Sequence, residues 1–231
     1  MKLIDYTDPN SFSSKMRRRR MRGLTNLVQT IANTGRLNDN AIKICDIGGT
    51  ATYWGIFPFA KFPELKFQID LFNMNYDGDL KSVSLPSNVD IQKHIGNGCN
   101  LSGIPDNSYD LSHSNSVIEH VGNWKSITAM AKETLRVSTY HFLQTPNFWF
   151  PIEPHFLLPF YAGLPRPLRI RQQELFNKRE FPDEANAIDE SVRLLTKREL
   201  TFLFPQSKIE RERFFLFTKS FIVSGKSYIV G

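Results

Sequence analysis

The segment Ile42–Ile47, mostly apolar and closing on Gly48-Gly49-Thr50, constrains this chain more than any other stretch. A short apolar run bounded by turn residues is the pattern of a strand buried in a parallel sheet. Glycine in the following turn lets backbone come close to a neighbour with no Cβ in the way. In open parallel sheets that turn lies where ligands bind, outside the carboxyl ends of the strands.

The rest of the chain supplies partners for such a strand. Ser11–Asn33 reads as an opening helix capped by Ser13 or Ser14, with Leu24, Leu27, Val28 and Ile31 recurring at helical spacing. Its first half carries Lys15, Arg17, Arg18, Arg19, Arg20 and Arg22, and Asn38-Asp39-Asn40 ends it. Thr50–Phe62 is a helix or irregular turn broken by Pro58 and Pro63. Leu65–Leu71, with Asp70 at its end, Val89–Ile95, Tyr109–Ser114 and Thr139–Gln144 read as further strands. Trp124–Arg136 is an amphipathic helix with Ile127, Met130, Ala131 and Leu135 on one face. Thr196–Phe204 reads as a helix capped by Thr196, followed by Lys208–Phe217 and Lys219–Val230 as an antiparallel pair. Strands separated by helical patterns imply a parallel sheet with right-handed crossovers.

At 231 residues the chain suits a single domain, 1–231, with a basic helix over 1–40 and an aromatic insert over 147–195. Phe148–Pro167 holds five prolines, too many for a long helix. The aromatics of Phe148–Tyr161 either roof the core or form a wall over an apolar acceptor, and a membrane-surface contact is disfavoured because the segment lacks a regular amphipathic pattern. A formal charge of +6 permits an anionic partner without demanding nucleic acid. The two cysteines lack metal-ligand spacing, no metal site is expected, and no apolar run is long enough to span a bilayer. The first residues lack the apolar core of a signal peptide, so a cytoplasmic location is expected.

A dinucleotide fingerprint, G-x-G-x-x-G, fails here, because Gly48 is followed by Thr50 and Tyr53 at the two later glycine places. That disfavours a nicotinamide-dependent oxidoreductase. A phosphate loop ending in Gly-Lys-Ser/Thr is absent too, and a plain strand-to-helix turn stays open on these residues alone.

Further motifs follow in order. Asn97-Gly98-Cys99-Asn100-Leu101 comes first, then Pro105–Leu111 (PDNSYDL), Ser114–Val121 (SNSVIEHV) and Thr145-Pro146-Asn147. Together with Asp46–Thr50 this series resembles the class I S-adenosylmethionine-dependent methyltransferases, most of all the small-molecule branch often called type 11. The resemblance covers Ile42–Asn147. It implies an α/β, Rossmann-like, open and mostly parallel seven-stranded sheet with helices on both faces and an antiparallel last strand. It also implies S-adenosyl-L-methionine as cofactor. The glycine turn would be Asp46, Gly48, Gly49 and Thr50, and the ribose-binding acid Asp70 beside Leu71. Asn97, Gly98 and Cys99 would flank the adenine, with Ser114 and Asn115 at the exit of the fourth strand. Thr50 and Thr52 stand where the family has glycines, and Asn97 where aspartate is common; asparagine still offers a carbonyl oxygen to the adenine amino group.

Methyl transfer to a small-molecule acceptor, at oxygen, is the activity this implies, and the acceptor is expected to be anionic or aromatic. A hydroxyl acceptor benefits from a base, and histidine suits neutral pH. Of the five histidines, His94, His113 and His141 read as structural members of strands. His155, with Glu153 two residues away, and His120, in the turn after the fourth strand, are the catalytic candidates. The arginine run reads as a solvated helix face or as an attractor for an anionic acceptor. RNA recognition is disfavoured because no aromatics are interleaved with the arginines. The alternative from another class is a non-catalytic protein of this fold that binds RNA or a protein partner through the basic helix.

Overall fold

A computed structural model describes residues 12–76, 83–151, 163–165, 168, 171 and 192–228. The strands are β1 (Ala41–Ile47), β2 (Lys66–Asn73), β3 (Val89–Ile95), β4 (Tyr109–Asn115), β5 (Ser138–Pro146), β6 (Lys208–Phe214) and β7 (Phe217–Lys226). They form one seven-stranded sheet in the order β3-β2-β1-β4-β5-β7-β6. β1 to β5 pair in parallel, and β7 runs antiparallel to both β5 and β6. The strand order reverses between β1 and β4, and in open parallel sheets ligands bind at such a reversal, outside the carboxyl ends of the strands.

The helices are α1 (Phe12–Ala32), α2 (Ala51–Trp54), α3 (Trp124–Arg136) and α4 (Lys197–Leu203). α3 starts at Asn123, whose side chain accepts from Ser126 N–H. α4 carries a capping box between Thr196 and Glu199. Alternation along β1 divides the core. Ile42 and Ile44 pack with α1 and the ring cluster Trp54, Phe57, Phe59, Phe62 and Phe67. Cys45 and Ile47 pack with Ile127 and Met130 of α3 and Leu200 and Leu203 of α4.

Four local expectations shift. α1 is described from Phe12, so the backbone of Ser13 and Ser14 is already helical. The Thr50–Phe62 segment resolves into the four-residue α2 and a 3-10 turn at Phe59–Lys61. β2 continues past Leu71 to Asn73, because β3 pairs with it up to Asn73–Ile95. The last hairpin turns at Phe215–Leu216, with Phe214 paired to Phe217, earlier than expected. No glycine, proline or asparagine marks that turn, so strand pairing places it.

Candidate functional site

Gly48 and Gly49 turn the chain at the carboxyl end of β1, beside the reversal of strand order. Gly48 has φ 75°, and a Cβ there would come 2.4 Å from Val117 Cγ2. A Cβ on Gly49 would lie 1.7 Å from Asp46 Oδ2. Packing and backbone conformation both require glycine, and the second requirement explains how Asp46 works. Its carboxylate is fully buried, with Oδ2 accepting from Trp54 Nε1 at 2.7 Å and Oδ1 2.7 Å from His113 Nδ1. His113 Nε2 faces the Tyr53 hydroxyl at 3.2 Å. Burial, above all, holds the Tyr53 phenol above its usual pKa. Asp46, His113, Trp54 and Tyr53 thus tie β1, β4 and α2 together behind the turn. Thr50 caps α2, its side chain accepting from Tyr53 N–H.

The tip of β2 stands beside this turn. Gly48 N–H donates to Phe72 O at 2.8 Å, and Asn73 Nδ2 donates to Gly49 O at 2.8 Å. Gly48 and Asn73 each come one residue past the last β1–β2 pair, Ile47 with Phe72. Asp70 therefore lies three residues before the end of its strand. Its Oδ1 is 2.9 Å from His94 Nε2, and its Oδ2 accepts from the Tyr109 hydroxyl at 2.8 Å. Burial first and the bond to Asp70 second raise the Tyr109 pKa. Leu71 is wholly buried, with no surface to offer a ligand.

In the loop after β3, Asn97 Oδ1 accepts from Cys99 N–H at 2.9 Å, an Asx turn that shapes the segment. Gly98 and Cys99 are half-buried, and Cys99 Sγ reaches Ser126 O at 3.4 Å. At the exit of β4, Ser114 is buried and its hydroxyl donates to Ile47 O at 3.0 Å. Asn115 Oδ1 accepts from Arg20 Nη1. His120 is exposed in the 3-10 turn Ile118–His120, its Nε2 4.0 Å from Glu119 Oε1. His155 and Glu153 lie outside the described residues.

Arg20 and Asn73 are the residues that the sequence did not single out. Arg20, within the apparently solvated arginine run, is 8% exposed and pairs with Glu212 on β6, its Nη2 2.8 Å from Oε2. The signal was present, since Arg20 shares a helical stripe with the buried Met16, Leu24 and Val28. Burial, then the Arg20 guanidinium, pull the Lys219 ammonium below its usual pKa.

The order β3-β2-β1-β4-β5-β7-β6, parallel except for β7, is the fold of the class I S-adenosylmethionine-dependent methyltransferases. The chain is similar to an S-adenosylmethionine-dependent methyltransferase from Methanosarcina mazei at 15% identity, over 83% of this chain and 94% of that one, with a TM-score of 0.50. It is also similar to the PH0226 protein of Pyrococcus horikoshii at 14% identity, over 96% and 95% of the two chains, with a TM-score of 0.55. No family model and no curated relative matches the sequence. At such identities the likeness establishes the fold.

Proposed function

We propose that this protein is an S-adenosylmethionine-dependent methyltransferase acting on a small-molecule acceptor at oxygen. The observation that carries the reading is the Gly48–Gly49 turn at the reversal of strand order, with Asn73 bonded to it from the tip of β2. The residues present fit the cofactor. The turn offers close-approach backbone. Asn73 Oδ1 accepts no hydrogen bond from the described residues and suits a ribose hydroxyl. Gly98 and Cys99 border the adenine side. In this reading Asn73 takes the ribose contact expected of Asp70, and Asp70 braces β2 against His94 and Tyr109.

When bound, the cofactor supplies an electrophilic methyl group. Asp46 acts at one remove: through Trp54 and His113 it holds the α2 turn and β4 in place. Asn115, oriented by Arg20, stands at the exit of β4, where it and Ser114 border the cofactor in this reading. Proton removal from the acceptor hydroxyl falls to His155, assisted by Glu153, with His120 the second candidate. Positioning contributes most of the acceleration.

Calorimetry with S-adenosylmethionine, S-adenosylhomocysteine and NAD tests this reading. Binding of both sulfur compounds and not of NAD is expected; the reverse pattern overturns it. His155→Ala is expected to lower turnover and leave cofactor affinity unchanged.

A further inference from the structure

We propose that the β6–β7 hairpin tip, together with the arginines beside it, docks the protein onto an anionic lipid bilayer. Phe215 is 82% exposed, Leu216 94%, Phe217 54% and Trp149 70%. Phe150 lies 6.3 Å from Phe214 and Phe214 4.8 Å from Phe215, while Phe148 and Trp149 form a separate ring pair at 4.9 Å.

The backbone adds a second observation. Phe215 has φ 51°, a left-handed conformation that glycine, asparagine and aspartate adopt easily and a bulky aromatic does not. Solvent and backbone thus both disfavour phenylalanine at this position, and its ring contact with Phe214 leaves it 82% exposed. A partner that takes the ring out of water accounts for it.

Charge identifies the partner. Arg211 and Arg213 are exposed on β6, immediately before the tip. The buried Arg20–Glu212 pair fixes α1 against the same strand. Two exposed guanidinium groups thus stand immediately before an apolar tip, in a chain of net charge +6. Anionic headgroups pair with guanidinium, and the acyl boundary takes phenylalanine, leucine and tryptophan. A second copy of the chain would bring like charges together. The three tip side chains expose on the order of 400 Å², about half of what a partner needs in a stable protein interface. The tip lies at the carboxyl edge of the sheet, yet docking needs neither cofactor nor acceptor.

The test is co-sedimentation of the full chain with vesicles of phosphatidylcholine plus phosphatidylglycerol, and of phosphatidylcholine alone. The expected result is binding to the anionic vesicles, weaker binding to the neutral ones, and a blue shift of emission that vanishes in Trp149→Phe. Phe215→Ser with Leu216→Ser should weaken binding about tenfold or more, as should Arg211→Glu with Arg213→Glu. Phe215→Gly should weaken binding while the melting temperature stays level or rises, an outcome that a structural role for the ring would reverse. Absence of binding to anionic vesicles, equal binding by the tip variants, or tip-dependent self-association in ultracentrifugation overturns the proposal. Cofactor affinity, measured on the same variants, reports separately on the methyl-transfer site.

Discussion

Asp46 Oδ1 lies 2.7 Å from His113 Nδ1, and the two side chains are 0% and 1% exposed. The same carboxylate accepts a hydrogen bond from the Trp54 indole N–H, so one buried acid serves two buried donors. Asp46→Ala leaves both donors without an acceptor and is expected to cost about 3–5 kcal/mol of stability. Asp46→Asn should cost less, because His113 can exchange tautomers to meet the amide. Urea unfolding checks both, and a loss below about 1 kcal/mol for the alanine variant would show that the network does not hold the turn.

Asn73 and Asp70 separate by readout. Asn73→Ala is expected to weaken S-adenosylhomocysteine binding about 5- to 30-fold with little loss of stability. Asp70→Ala removes the acceptor of Tyr109 and the partner of His94, so its effect should fall on stability. Calorimetry and thermal melts on the two variants decide. A binding loss confined to Asp70→Ala would return the ribose contact to that residue.

The Arg20–Glu212 pair is buried on both sides, with side-chain exposures of 9% and 3%. Arg20→Met alone strands the carboxylate and is expected to cost about 3–5 kcal/mol. Arg20→Met with Glu212→Met should recover most of that loss, since a well-packed apolar replacement avoids desolvating either charge. A double variant as unstable as the single one would mean that Asn115 and Ser220 matter more than the charges.

His141 is fully buried between the Ser207 and Ser227 hydroxyls, and burial lowers its pKa to about 4. The unfolded chain, with a histidine near 6.5, binds the proton that the folded chain refuses. Stability is therefore expected to fall as pH drops from about 6.5 towards 4, by about 3 kcal/mol at most. Unfolding midpoints across that range should show this slope in the natural chain and a flatter one in His141→Gln. Equal slopes would assign the acid sensitivity to other groups.

Periodic segments were legible from the sequence. β3 and α3 fall at Val89–Ile95 and Trp124–Arg136, as their patterns indicate, and Thr196 caps α4 as expected. Segments without punctuation were not. The run from Phe214 to Phe217 offers no turn residue, so its reversal could not be located. Arg20 was legible in principle from its stripe, but a run of arginines masks the one that points inward.

The sequence by itself determined the alternation of strands and helices, the glycine turn and the order of the motifs around it, because hydrophobic period and glycine conformation act locally. The tertiary structure alone decided that Asp46 is spent on Trp54 and His113, that Asn73 and not Asp70 reaches the tip of β2, and that Arg20 leaves the surface for Glu212. Each depends on the register and packing of strands far apart in the chain. No local pattern encodes how far one strand runs past its neighbour, or which distant charge a buried side chain will meet.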